Sequence, residues 1–479
     1  MGLRTSIARG CGLASAWALR TLAHRGASTL PGRVALALDP HVIGELRDKC
    51  ASGTIVVCGT NGKTTTNNVL ARAVRQSGAT VLCNWAGANM ATGVASALLP
   101  GRGADWGVFE NDELSTIAIV PELHPRVFVL LNLFRDQLDR SGEIDRVQDV
   151  IVRALAASPE TTLLYNGDDP LCEGVAARVR DAGGVTRAFG IAESLGTHAD
   201  RVTGGGFCQR CGAPLRYAYR QYGQLGDYHC TACDFGRPRL DFSASDVAVT
   251  TDGVSFDAWR MGDEGAQGGE TTRLSASWGG AYMVYNLLAA WAAATIVGVT
   301  GEQFQEVLDT YHPENGRLQH FDVDGRRVTL NLAKNPTGFN QNISMLMADE
   351  RPKVVYVVIN DDYNDGKDVS WLWDVDFERL APDAGKTGVP TASGEPDAGE
   401  KPVAVPPPVA RCFVGGHRAN DMQVRFKYAG VRAPIATSVA DMLDRLGDVP
   451  RDWGVYVLTN YSALWPAKAE LERMGESVR

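Results

Sequence analysis

At 479 residues the chain is too long for one ordinary hydrophobic core, so two or three domains are expected. Hydrophobic residues make up 44% and charged residues 22%, the balance of a globular protein. A formal net charge of -9 argues against a general nucleic-acid binder, and no apolar run approaches the roughly 20 residues that cross a bilayer.

The N-terminal stretch is different. Met1 to Arg33 carries Arg4, Arg9, Arg20, Arg25 and Arg33 with no acid, interleaved with Ala, Leu and Trp17. A transit-like or secretory leader is one reading, but the apolar stretch between Arg9 and Arg20 is short and contains glycine. The favoured reading is an uncleaved amphipathic helix in an extension over residues 1–45, lying on a membrane surface or a partner.

Thr54-Ile-Val-Val-Cys58 is a short β-branched run ending at Gly59, and Thr64–Gln76 carries Val69, Leu70, Ala73 and Val74 at helical spacing. Strand-like runs recur at Trp106–Glu110, Val127–Leu131 and Thr162–Tyr165 with helical stretches between. That alternation predicts an α/β domain with a largely parallel sheet over residues 46–310. Around residues 205–238 the pattern breaks into Gly, Tyr, Arg and Cys, as an insertion would, and helical spacing returns at Tyr285–Val297. A second, Rossmann-like α/β domain is expected over residues 311–479, with strands at Val328–Leu332, Val354–Ile359, Ala410–Val414 and Val455–Thr459. Inside it, residues 383–408 are Pro-, Gly- and Ala-rich with almost no large apolar side chain, a composition that predicts a disordered loop.

Gly59-Thr60-Asn61-Gly62-Lys63-Thr64-Thr65 joins the first strand to its helix. Strand, glycine loop and helix is the order phosphate binding needs, because backbone N–H groups and the helix N-terminus together favour an anion. Lys63 would reach the outer phosphates of ATP, and the Thr64 hydroxyl can ligate Mg²⁺. The full phosphate-loop pattern asks for a glycine five residues before Gly62, where this chain has Val57, so the loop is a shortened variant. A Gly-Lys-Thr turn opening a helix by chance is the bland alternative, and the strand before it weighs against that.

The shortened loop resembles that of the Mur ligase superfamily, which activates a carboxylate as an acyl phosphate for attack by an amine. The resemblance implies a Mur-ligase-like ATPase domain and carries over several residues. Glu110, at the end of a strand, matches the family's Mg²⁺-binding glutamate, with Glu113 as the alternative. Asn132-Leu-Phe-Arg-Asp-Gln-Leu-Asp139 resembles the family's Asn…Asp-His-Leu-Asp segment, with Gln137 where a histidine tied to a second metal site is usual. Asn286 matches a helix-start asparagine near the nucleotide, with Met283 where another asparagine is usual. Gly316-Arg317 resembles the hinge pair whose arginine holds ATP, with Gln319 where an acid is usual. Ala333-Lys334-Asn-Pro resembles the family's Ala-His-Asn-Pro opening of the C-terminal domain.

Of ten cysteines, four cluster: Cys208-Gln-Arg-Cys211 and Cys230-Thr-Ala-Cys233. Two such knuckles close a tetrahedral shell of four sulfurs, for which Zn²⁺ is the preferred metal. Four thiolates leave no open position for water, so the metal would be structural and His229 a neighbour only. A redox disulfide pair is the competing reading. Gly206, Gly212 and Gly236 are expected to supply the tight turns.

Asn360-Asp-Asp-Tyr-Asn-Asp-Gly-Lys-Asp-Val-Ser-Trp-Leu-Trp-Asp374 follows a buried-looking strand. So many acids beside Trp371 and Trp373 are costly there unless solvated or engaged. This run resembles the signature of the MurT family, the ligase-like subunits of lipid II isoglutaminyl synthases. Gly415-Gly-His-Arg-Ala-Asn-Asp421, the cysteine ribbon and the lack of room for a UDP-binding domain before residue 59 agree with it.

That resemblance implies a cytoplasmic enzyme in a heterodimer with a GatD-like glutamine amidotransferase subunit that frees ammonia. The chain would use ATP to phosphorylate the α-carboxylate of D-glutamate in the stem peptide of lipid II, and ammonia would displace phosphate to give D-isoglutamine. An aspartate of the C-terminal domain would assist the partner's catalytic histidine; Asp368 is the candidate and Asp365 the next, with a turn-capping role as the bland alternative for Asp368. The lipid-linked acceptor suggests peripheral membrane proximity. The other readings are a stand-alone amino-acid ligase, such as a folylpolyglutamate synthase, and a non-catalytic ATP-binding scaffold.

Overall fold

A computed structural model of the chain describes residues 2–478 apart from 23–27, 102, 136–143, 198–199, 201–203, 251–252, 263–268, 312–317, 363–364 and 382–408. The expected loop over 383–408, Gln137, Gly316 and Arg317 lie outside the described residues. The chain divides into two units that meet in sequence between Tyr311 and His312.

The first unit opens with helices α1 (Leu3–Thr21), α2 (Leu30–Leu38) and α3 (Val42–Leu46). The expected N-terminal helix forms, and its inner face packs on its own chain. Thr5, Ala8 and Gly12 are buried. Gly12 allows close approach, since a β-carbon there would meet the Leu99 side chain at 2.6 Å and the Pro31 carbonyl at 3.0 Å. Thr5 Oγ1 donates to Asp39 Oδ2 (2.8 Å), and the Arg9 guanidinium donates to the carbonyls of Leu99 and Gly101.

After β1 (Cys50–Cys58) come α4 (Lys63–Gln76), β2 (Val81–Cys83), α5 (Ala91–Leu98), β3 (Ala104–Asn111), α6 (Thr116–Leu123), β4 (Val127–Leu130), α7 (Ile144–Ala156), β5 (Thr162–Asn166), α8 (Pro170–Asp181) and β6 (Thr186–Ile191). The hairpin β7 (Leu215–Tyr222) and β8 (Leu225–Cys230) stands apart as its own two-stranded sheet. Then follow β9 (Phe242–Val249), β10 (Val254–Met261), β11 (Gly269–Ala276), α9 (Ala281–Ile296) and α10 (Gly301–Thr310).

The main sheet has nine strands in the order β11-β10-β9-β6-β5-β4-β1-β3-β2. From β2 to β6 its pairings are parallel, as the alternation of strands and helices predicts. Strands β9 to β11 add an antiparallel extension that the apolar runs do not announce, because their outward positions are Ser, Asp, Thr and Arg. Parallel strands covered on both faces need continuous apolar runs. Ile55, Val56, Val57 and Cys58 are accordingly all fully buried. From β1 the chain leaves towards β3 and β2 on one side and reaches β4 on the other. The residues just past β1 therefore lie at a switch point of the sheet, where open α/β sheets form a crevice.

The second unit holds β12 (Gln319–Val323), β13 (Arg326–Leu332), α11 (Pro336–Ala348), β14 (Lys353–Val358), β15 (Val409–Gly415), α12 (Ala419–Tyr428), α13 (Val439–Asp444), β16 (Gly454–Thr459), α14 (Tyr461–Met474) and β17 (Glu476–Val478). Its sheet runs β15-β14-β16-β13-β12-β17. The four strands β13 to β16 are parallel, and β12 and β17 close one edge antiparallel. One apolar layer gathers around Phe339, Phe377 and Phe426, a second around Phe321, Phe413 and Leu464.

Candidate active site

The phosphate loop begins where β1 ends. Gly59 (φ +138°) and Gly62 (φ +88°) take conformations that side-chain-bearing residues rarely adopt, and Gly62 caps the N-terminus of α4. Both also stand in close quarters. A β-carbon on Gly59 would press on Leu131 and Asn132 at 3.0 Å, and one on Gly62 would collide with the amide oxygen of Asn286. Asn286 sits on the buried helix α9, and its carbonyl accepts from Thr66 Oγ1 (3.3 Å).

The segment after β4 holds the loop from the other side. The Asn61 N–H donates to Asn132 Oδ1 (2.8 Å) and Asn132 Nδ2 donates to the Asn61 carbonyl (3.1 Å). The Thr60 N–H donates to the Asn132 carbonyl (3.0 Å), and the Phe134 N–H donates to Thr60 Oγ1 (3.0 Å). Two loop amides are thus spent on shaping the loop. Those two N–H groups are turned inward, which leaves the start of α4 to carry the anion-favouring role.

Lys63 is buried in the mouth of this loop. Its ammonium donates to the carbonyls of Gly59 and Thr60 and pairs with Glu113 Oε2 at 3.3 Å. Burial alone would lower its pKa, but the carboxylates of Glu113 and Glu110 outweigh that and hold it above the ordinary value. Lys63 is therefore a fixed positive charge.

Glu110 lies near the end of β3, paired in register with Val57 of β1. Asn84 fixes its backbone in both directions, with Oδ1 accepting from the Glu110 N–H (2.9 Å) and Nδ2 donating to its carbonyl (2.8 Å). A β-carbon placed on Gly87 (φ +73°) would lie 3.4 Å from both Glu110 Oε2 and Thr64 Oγ1. The two oxygens expected to meet Mg²⁺ thus face one small cradle, while Glu113 serves Lys63. Asn84 and Gly87 were not singled out from the sequence, and Asn132 entered only at the head of the segment that resembles the family's. A short polar, glycine-containing turn after a strand was the signal for the first two.

In the inserted segment the four cysteine sulfurs lie within 4.8 Å of one another. N–H groups of Arg210 and Cys211 point to Cys208 Sγ, and that of Ala232 to Cys230 Sγ, the turn geometry of two knuckles. The Ala232 N–H lowers the Cys230 thiol pKa against burial, while those of its neighbours Cys211 and Cys233 are raised. His229 is exposed and outside the cluster. Of the three expected turn glycines only Gly212 has a positive φ (+73°).

In the second unit, Asn360 and Asn460 tie the ends of β14 and β16 together through 3.0 Å and 2.7 Å bonds. Asp365 is buried at the start of α14, accepting from the Ser462 N–H (3.2 Å). Burial raises its pKa despite that bond. Asp368 is exposed, and its two oxygens accept from the Ser370 N–H (2.8 Å) and hydroxyl (2.9 Å), the capping turn weighed above. Lys334 precedes α11 in the same unit, where Asn335 caps the helix through the Gly338 N–H. Trp371 packs on Phe339, and Trp373 is exposed over Arg425 and beside Tyr428.

Known proteins resemble this chain in the same regions. The Mur ligase middle domain profile matches residues 57–208, and the MurT ligase C-terminal profile matches residues 332–396. The chain is 30% identical over 468 residues to the lipid II isoglutaminyl synthase (glutamine-hydrolyzing) subunit MurT of Staphylococcus aureus strain N315, covering 96% of each. It is 34% identical over 386 residues to the same-named subunit of Streptococcus pneumoniae, covering 79% of this chain and 82% of that one. Among solved structures, a pseudomurein peptide ligase type C from Methanothermus fervidus superposes with a TM-score of 0.63 at 18% identity, over 90% of this chain and 80% of that one. MurF from Acinetobacter baumannii gives 0.61 at 17%, over 92% and 80%. Those two show the fold, which is that of the Mur ligases.

Proposed function

The chain belongs to the MurT family, and from that premise we propose that it is the ATP-dependent amidating subunit of a lipid II isoglutaminyl synthase. The observation that carries the reading is the buried Lys63 inside a glycine loop, with Thr64 and Glu110 facing one cradle. Fixed charge next to a helix N-terminus is what a polyphosphate needs, and a hydroxyl with a carboxylate is a donor set for Mg²⁺. ATP would be held by Gly59, Thr60, Asn61, Gly62, Lys63, Thr64 and Thr65, with Asn286 beside the loop and Arg317 as the hinge contribution. Mg²⁺ bound by Thr64 and Glu110 would supply charge neutralisation between the phosphates.

Lys63 balances the negative charge that moves onto the bridging oxygen as the γ-phosphoryl passes to the α-carboxylate of D-glutamate. The loop, clamped by Asn132 and Asn286, keeps that transfer in line. Ammonia then attacks the acyl carbon, the carbon–oxygen bond to phosphate breaks, and a proton leaves the nitrogen as D-isoglutamine forms. Cys208, Cys211, Cys230 and Cys233 would hold Zn²⁺ as a structural cross-link.

The ammonia source would be a GatD-like glutaminase subunit in a heterodimer. Asp368, exposed and so within reach of another chain, would orient the partner's imidazole; Asp365 is the alternative. Among the described residues no helix is long and apolar enough to cross a membrane. The reading places the enzyme in the cytoplasm, near the membrane surface where a lipid-linked acceptor resides.

The test is to incubate the chain with ATP, Mg²⁺ and lipid II, supplying either ammonium or the glutaminase partner with glutamine. Ammonium-dependent amidation by the chain alone is expected. ATP turnover dependent on an added amino acid would favour a stand-alone ligase, and no turnover in any mixture would leave only a scaffold.

A further inference from the structure

Hairpin tips are ordinarily solvent-exposed. The tip between β7 and β8 is not: Tyr222 is 3% and Gln224 1% exposed. It lies at the end of the hairpin opposite the cysteine knuckles, and it packs on the segment that clamps the phosphate loop. Gln224 Nε2 donates to the Leu133 carbonyl (2.8 Å) and to Asp169 Oδ1 (3.2 Å), while the Leu133 N–H donates to Asp169 Oδ2 (2.8 Å). Leu133 is thus fixed at both backbone atoms. It stands between Asn132, which binds Asn61 and Thr60, and Phe134, which binds Thr60.

The rings repeat the arrangement. Tyr222 lies 6.0 Å from Phe134 and 5.8 Å, edge-on, from Tyr285. Gly223 (φ +54°) has no room for a side chain, since a β-carbon there would meet the Phe134 ring at 2.8 Å. Tyr285 donates to Asp168 Oδ2 (2.6 Å), whose other oxygen accepts from Arg237 (2.7 Å) just past the ribbon. The neighbour of Tyr285 is Asn286, the residue against Gly62.

We propose that the hairpin tip Tyr222–Gln224 is a positioning element of the nucleotide site, acting through Leu133 and Phe134 on Asn132, which bonds to the phosphate loop, and through Tyr285 on Asn286, which lies against Gly62. The inference rests on the reading of Gly59–Thr65 as a nucleotide loop. A loop whose supports are fixed before binding loses less freedom when ligand arrives. Loosening the tip therefore weakens ATP binding while leaving the reacting groups in place. The cost falls on Kd and KM more than on kcat.

The test uses the full chain and reads ATP–Mg²⁺ affinity by calorimetry, together with unfolding temperature and cysteine-bound metal content. Gln224→Met keeps the volume and removes the donor, Tyr222→Ala removes the ring, and Tyr222→Phe keeps it. Gln224→Met and Tyr222→Ala should each weaken ATP binding about five- to ten-fold at temperatures well below unfolding, with Tyr222→Phe close to the parent chain and metal content unchanged. A purely structural tip would lower the unfolding temperature and leave Kd within about two-fold, and that result overturns the proposal. Should Tyr222→Ala not fold, Gln224→Met against Tyr222→Phe decides. Failure of the parent chain to bind ATP overturns the nucleotide-loop reading and this inference together, whereas parent binding with unchanged variants overturns this inference alone.

Discussion

At the carboxyl end of β1 the chain places two positive-φ glycines, the start of α4 and the buried ammonium of Lys63. At the carboxyl ends of β14 and β15, in the second unit, it places Asn360, Asp361, Asp362 and the Gly416–Arg418 turn. There His417 and Arg418 stay close to acids, with His417 Nδ1 3.6 Å and Arg418 Nε 3.3 Å from Asp361. Both are ends of largely parallel sheets, where crevices form. The first carries a fixed cation in a backbone shaped around it; the second carries a half-buried Asp361 and an exposed Asp362 beside basic side chains. Under the proposed function the same architecture would hold a polyanion in one unit and present an acid in the other.

The largest effect should come from removing the cation of the first unit. Lys63→Met should cut ammonium-driven amidation by about 10²–10³-fold, the scale on which a charge-stabilising donor in a reacting site acts. A loss below about ten-fold would erase the contrast between the units. The second unit should respond differently. Asp368→Asn should lower glutamine-driven amidation at least about ten-fold and keep ammonium-driven amidation within about two-fold, because an orienting carboxylate serves the glutaminase histidine alone. If Asp365→Asn shows that split and Asp368→Asn does not, the assignment moves to Asp365.

A separate effect, on stability and not on rate, concerns Asp169, the support of Leu133. Burial lets its carboxyl hold a proton up to about 6 instead of 3.8, although the N–H groups of Leu133 and Leu171 oppose that. Between those values the folded chain binds more protons than the unfolded chain, so stability falls as pH rises through the window, by at most about 3 kcal/mol. Asp169→Asn should flatten that slope in denaturant unfolding followed across pH 4–6. An unchanged slope would place the titration elsewhere.

Much of this was legible in the sequence for local reasons. A β-branched run ending on Gly59 and an apolar helix face beginning just after Lys63 are signals within one stretch of chain, and the two Cys-x-x-Cys pairs state their geometry by spacing alone. The strands β9 to β11 were missed because their polar outward positions dilute the apolar pattern. The clamp was missed for another reason. Gln224 meets Leu133 across 91 positions, and nothing near either residue marks the pairing. Asp368 shows the limit from the other side, since the same acid beside a serine fits a capping turn and a functional carboxylate equally well.

The central claim is that Lys63 and its loop serve carboxylate activation. It is tested most directly by labelling both oxygens of the stem-peptide D-glutamate α-carboxylate with ¹⁸O and following the label during ammonium-driven turnover. Transfer through an acyl phosphate puts one labelled oxygen into inorganic phosphate for each amide formed, and the account predicts that stoichiometry. Amide formation with unlabelled phosphate would contradict it.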